Sequence, residues 1–123
     1  MSWDSYITSI LSSKDITQAA IHGHDGSVWA TSSGFNVTPA EVKAALDTMN
    51  GSNTTGTVNL AGVNYILLRF EDKSVFLKKG KEGAVIAKTD RAVIIGTYGD
   101  GVSPGNANVA ILKMADYLSE AGY

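Results

Sequence analysis

Near the start of the chain, apolar residues recur at three- and four-residue spacing, so that Trp3, Tyr6, Ile7, Ile10 and Leu11 mark one face of a helix over residues 3–12. Ser2 is placed to cap it, and Asp4 stands where the helix dipole favours an acid. Two apolar-rich segments follow, Ile16–His22 and Ser27–Thr31. The Gly23-His24-Asp25-Gly26 sequence between them predicts a hairpin turn. Thr38-Pro39-Ala40-Glu41 then opens a second helix, because Thr38 and Glu41 can exchange hydrogen bonds with each other's amides and Pro39 sits where its missing N–H costs nothing. Val42, Ala45, Leu46 and Met49 form its apolar stripe, Asn50-Gly51 ends it, and residues 51–57 are a polar loop.

Five strand candidates come next: Thr57–Leu60, Val63–Phe70, Lys73–Lys78, Ala84–Thr89 and Arg91–Tyr98. Their connections, Ala61-Gly62, Glu71-Asp72, Lys79–Gly83 and Asp90, are too short for crossover helices, so sequential antiparallel pairing is expected. In Val63–Phe70 both alternating sets carry large apolar residues, and the same holds for Val93 and Ile95 against Ile94 and Tyr98. Such strands call for cover on both faces. A last helix starts at Ser103-Pro104 and runs to about Glu120, with Ala107, Ile111, Met114, Ala115 and Leu118 as its core stripe. The expected fold is α+β in three layers. A central antiparallel sheet carries the N- and C-terminal helices on one face and the short middle helix on the other, as a single domain over residues 1–123.

Composition fits that reading: 44% hydrophobic and 18% charged residues describe a folded domain. A net charge of −2 argues against broad nucleic-acid binding, yet Lys73, Lys78, Lys79, Lys81, Lys88 and Arg91 fall in one quarter of the chain. With no cysteine there is no disulfide, thiol nucleophile or cysteine-based zinc site. The amino terminus lacks a basic region leading into an apolar run, and no segment approaches a membrane-spanning length, so a cytosolic protein is expected. In that setting the glycosylation-like triplets at Asn36, Asn50 and Asn53 carry no meaning. His22 and His24 are two apart, on one strand face, but no third-ligand spacing supports a metal. The Gly99–Gly105 stretch lacks the Gly-Lys-Ser/Thr ending of a phosphate loop, and no serine lies in a nucleophile-elbow pattern. Neither an enzymatic site nor a cofactor is expected.

Several stretches, taken in order, resemble the profilin family: Met1-Ser2-Trp3 with Tyr6, then Asp25-Gly26-Ser27-Val28-Trp29-Ala30-Thr31-Ser32, Asn59-Leu60-Ala61-Gly62-Val63-Asn64-Tyr65, Leu68 to Gly80, and Met114-Ala115-Asp116-Tyr117-Leu118. The likeness spans essentially the whole chain and is nearest to the short profilins of amoebae and other unicellular eukaryotes. It implies a monomeric actin-binding protein that regulates polymerisation and docks proline-rich partners such as formins in an aromatic groove. Carried over position by position, that groove is Trp3, Tyr6, Trp29, Tyr117, Leu118 and Tyr123. Flat aromatic faces suit a polyproline II segment, which is already extended and leaves its carbonyls free. Aromatics at helical spacing would by themselves read as core, although Tyr117 lies on the flank of its helix stripe.

For actin the resemblance implies Arg69, Lys73, Lys78, Lys79 and Lys88 on the strands, with Ser103, Asn108 and Lys113 on the last helix. By themselves these lysines would read as a solvated sheet face. A basic patch facing acidic actin would steer encounter and orientation. Phosphoinositide headgroups, ranked behind actin, would meet Lys78, Lys79, Lys81, Lys88 and Arg91. A longin- or roadblock-like trafficking scaffold and a small-molecule sensor stand as alternatives, since three-layer folds of this kind serve both.

Overall fold

Spacing and caps set the helices. In the computed structural model, which describes residues 3–32, 34–52, 55–71 and 73–123, helix α1 (Trp3–Ser12) buries Tyr6, Ile7 and Ile10 from its predicted stripe. Its expected cap Ser2, Asp72 of the expected Glu71-Asp72 turn and the triplet at Asn53 lie outside the described residues. Strands β1 (Gln18–Gly23) and β2 (Val28–Thr31) pair antiparallel around the Gly23–Gly26 turn, closed by the Gly23 N–H donating to the Ser27 carbonyl at 2.9 Å.

Helix α2 (Pro39–Met49) carries the full capping box. The Glu41 N–H donates to Thr38 Oγ1 at 3.2 Å, and the Thr38 N–H donates to Glu41 Oε1 at 2.9 Å. The same carboxylate accepts from the amides of Ala61 (3.0 Å) and Gly62 (3.1 Å). Both of those residues have positive φ, 52° and 80°, which a two-residue hairpin turn with the strands' own twist requires. Glu41 thus holds a left-handed alanine in place while it starts the helix. Burial pushes its carboxyl up, but hydrogen bonds from the backbone of Thr38, Gly62 and Ala61 outweigh burial and leave it lower than usual. Thr38→Ala, which removes one half of the box, should cost about 1 kcal/mol in urea unfolding.

The turn clamped by Glu41 joins β3 (Thr57–Leu60) to β4 (Val63–Glu71), and β5 (Ser74–Lys79), β6 (Glu82–Lys88), β7 (Ala92–Tyr98) and helix α3 (Pro104–Glu120) complete the chain. Ser103 caps α3 and accepts from the Asn106 amide. Among the described residues the seven strands form one antiparallel sheet in the order β2-β1-β7-β6-β5-β4-β3. β6 begins at Glu82, so its turn from β5 is only Gly80-Lys81, shorter than expected. The β strands send alternate residues to two cores. Ile21, Val85 and Ile94 join α1 and α3 through Ile7, Ile10, Ile111 and Leu118, while Val75, Leu77, Ile86 and Ile95 join α2 through Val42 and Met49. Gly96 sets how closely α3 sits, because a Cβ there would lie 2.9 Å from Cγ1 of Ile111.

One expectation is corrected. β4 is not covered on both faces: Ile66 and Leu68 are each 59% exposed and Phe70 46%. For Ile66 the cause is helix placement, since α1 packs over β1 and β2, and α3 over β6 and β7, leaving the β4 end of their layer bare. Phe70, opposite Val75, instead lies on the α2 face beside Gly51, past the end of that helix. No helix among the described residues is long and apolar enough to cross a membrane, and no cluster of metal-binding side chains occurs among them.

Candidate binding surfaces

Aromatic residues from four parts of the chain meet at one surface. Trp3, at the first turn of α1, has ring centroids 5.3 Å from Tyr6, 4.7 Å from Trp29 of β2 and 4.8 Å from Tyr123 beyond α3; Tyr6 in turn lies 5.8 Å from Tyr117 of α3. All contacts are tilted or edge-on, the arrangements ring quadrupoles favour. Trp3 and Trp29 are half-buried, whereas Tyr117 is 48% exposed and Tyr123 36%. Tyr6 forms the floor, and loss of solvent pushes its phenol up, with neighbouring Tyr117 and Tyr123 adding to that rise. A groove of about 310 Å³ runs on from Tyr117 between the helices, lined by Ser9, Ser13, Ala110, Lys113 and Met114. Five of the six residues expected to form an aromatic groove therefore stand together. Leu118 is the correction: it is fully buried in the α1–α3 core, one residue round the helix from Tyr117, and supports the groove from beneath without lining it.

The basic residues are brought together far less completely. In β5, alternation puts Phe76 and Lys78 on the α3 face but Lys79 on the α2 face, where it borders a cleft with Val63, Tyr65 and Glu82. By the same alternation Lys88, opposite Val93, points to the α2 face, while Lys73 stands in the turn ahead of β5. Only Arg69 and Lys78 of the strand cations share the α3 face. A register shift between Leu67 and Arg69 places Arg69 opposite Phe76, and its guanidinium lies 4.4 Å from that ring's centroid. Its exposed ion pair with Glu71, at 3.5 Å, contributes little to stability.

On α3, Lys113 lines the groove with α1, while at ~100° per residue Asn108 falls on the flank turned away from α1 and Ser103 stands at the cap. Lys113 and Asn108 hence belong to different sides of the helix. The cations assigned to phosphoinositide also divide. Lys78, Lys79 and Lys81 sit at one end of β6 and Lys88 and Arg91 at the other, about 20 Å apart at strand rise. Sequence reasoning missed Ile66, which pairs with Lys78 and faces solvent beside Arg69. The signal was present, since Arg69 is the one charge that interrupts the apolar run from Val63 to Phe70.

His22 and His24 do not form a pair. His22 is buried against the Gly26 carbonyl, and exposed His24 reaches the Thr89 carbonyl through Nε2 at 2.7 Å.

Comparison with known proteins agrees with this architecture. The profilin family model matches residues 1–123. Profilin-1B of Acanthamoeba castellanii is 41% identical and profilin of Drosophila melanogaster 42%, each alignment covering all of both chains. The crystal structure of Acanthamoeba castellanii profilin II superposes with a TM-score of 0.94 at 40% identity, covering 99% of this chain and 100% of the other. The same fold, at 22% and 16% identity and a TM-score of 0.81 in each case, occurs in mouse profilin IIa in complex with a double repeat from the FH1 domain of mDia1 and in the complex of LokiProfilin2 with rabbit actin. From its first helix to its last, the chain belongs to the profilin family.

Proposed function

We propose that the protein binds actin monomers on the uncovered β4–β5 end of the α3 face and proline-rich segments on the aromatic surface, linking the two in filament assembly. The observation that carries it is the set of rings centred on Trp3. Four aromatic contacts between α1, β2, α3 and Tyr123 are built over buried Tyr6 and leave Trp3 and Trp29 half-buried and Tyr117 and Tyr123 exposed at the surface. An extended proline-rich segment offers rings to stack on these faces and free carbonyls to the indole and phenol groups. The actin reading is supported by exposed Ile66 beside Arg69 and Lys78, an apolar centre with a basic rim. Family members bound to an FH1 repeat and to actin add support for both. The trafficking-scaffold and sensor alternatives have no comparable support.

Retention on polyproline beads, followed by capture of added monomeric actin, tests the two surfaces at once. If the protein fails to bind the beads, the aromatic reading is lost; if it binds them but captures no actin, the second surface is. Neighbouring lysines on opposite faces sharpen the actin half. Lys78→Glu should weaken monomer binding about tenfold, and Lys79→Glu should leave it within about twofold of the parent, read by the slowing of actin polymerisation. Equal losses in both would contradict the assignment to the α3 face.

A further inference from the structure

The turn between β6 and β7 holds Tyr123 by its main chain. Thr89 is 4% exposed. Its hydroxyl donates to the main-chain oxygen of Tyr123 at 2.8 Å and accepts from the Ala92 amide at 3.0 Å, so its proton and one of its two lone pairs are engaged. The Arg91 N–H donates to the same Tyr123 oxygen at 2.7 Å, and the Tyr123 N–H donates to the Leu118 carbonyl at 2.9 Å. From the other side, His24 Nε2–H donates to the Thr89 carbonyl at 2.7 Å, anchoring the β1–β2 turn to the same point. The Tyr123 ring then stands edge-on to Trp3 at 4.8 Å.

We propose that Thr89 is a positioning residue for the aromatic surface: with the Arg91 amide it seats Tyr123, and through Tyr123 it presets the ring arrangement that a proline-rich segment meets. This inference rests on the aromatic reading above. Thr89 touches no ligand. Tyr123 lies past the last turn of α3, tied to the helix only through its N–H, so its main-chain oxygen and ring are ordered by what else holds them. Fixing it in the free protein removes an ordering cost that binding would otherwise carry, which is the gain from preorganisation. Valine at position 89 would fill the same space but leave the Tyr123 oxygen and the Ala92 amide each short of a partner.

The test uses Thr89→Val and Thr89→Ser, each alone and combined with Tyr123→Ala. Decaproline is titrated against each by tryptophan fluorescence, and amide hydrogen exchange is followed at Tyr123 and Arg91. Thr89→Val should bind about fivefold more weakly than the parent, with faster exchange at both amides, while Thr89→Ser stays within about twofold. In the Tyr123→Ala background, Thr89→Val should add no further loss, because its effect passes through the ring already removed. Undiminished binding by Thr89→Val, or an equal loss with and without Tyr123, overturns the proposal, as does failure of serine to rescue. Should the parent itself ignore decaproline, the aromatic reading fails, and the seat is then decided by exchange alone: unchanged protection of Tyr123 in Thr89→Val overturns it.

Discussion

Trp3→Ala is expected to weaken decaproline binding by more than about tenfold and to leave monomeric actin binding nearly unchanged. Trp3 is the ring that touches most others, meeting Tyr6, Trp29 and Tyr123 at centroid distances of 5.3, 4.7 and 4.8 Å. Its removal therefore takes away a ligand-facing indole and also three ring contacts, each worth about 0.5–1.5 kcal/mol beyond burial. Trp29 and Tyr123 lose the neighbour that fixes their tilt. Actin binding is spared because Arg69, Lys78 and Ile66 lie toward the β4 end of the sheet, beyond the strands that α3 covers. Trp29 remains as a fluorescent reporter for the titration, and a thermal melt checks that α1 still docks. Undiminished peptide affinity in a folded Trp3→Ala would remove the aromatic surface from the binding model.

His22→Leu should abolish a loss of stability on the acid side and change stability little at neutral pH, because losing Nε2, unpartnered among the described residues, is offset by the Gly26 carbonyl that loses its donor. His22 is 1% exposed; its Nδ1 lies 3.3 Å from the Gly26 carbonyl and so carries the proton, and Nε2 has no partner among the described residues. Burial lowers its pKa below the ordinary 6.5, and the Gly26 hydrogen bond opposes this only in part. As pH falls through 6.5, the unfolded chain takes up a proton before the folded one does. Stability is thus full above 6.5 and declines as pH drops from there through the folded-state value. Glu41 acts in a separate window. Its lowered carboxyl contributes above the usual 4.5 and loses that contribution only as pH falls through its own folded value. Urea midpoints measured from about pH 7.5 to about pH 5 should fall for the parent and stay level for His22→Leu. Parallel declines would mean that another group governs this range.

Local chemistry made much of this architecture legible. Thr38, Pro39 and Glu41 announced a helix start that the structure forms with both reciprocal hydrogen bonds, and close strand spacing dictated the sequential pairing from β3 to β7. The aromatic surface could be named because short stretches that hold its residues resemble the profilin family, whereas their periodicity alone would have read as core. The basic surface could not, for two physical reasons. Which face a lysine takes turns on register, and one residue separates Lys78 from Lys79 across the whole thickness of the sheet. The shift at Leu67–Arg69 is visible only once β4 and β5 are paired. Apolar residues on both sides of β4 signalled burial, but periodicity does not distinguish cover by the protein's own helix from an open face. Leu118 failed for a similar reason: a place in a sequence motif does not say whether a side chain lines a groove or supports it.

Helix α3 acts as a partition. Tyr117 and Lys113 belong to its α1 side, and Arg69 and Ile66 stand on β4, five strands on from Trp29 of β2, so the two surfaces lie about 24 Å apart at inter-strand spacing without sharing a residue. A polyproline chain advances about 3.1 Å per residue, so about eight residues are enough to step across. A partner docked at Trp3 can then carry an actin-contacting stretch on the same short strand. Its gain comes from high effective concentration rather than from any new contact with this protein.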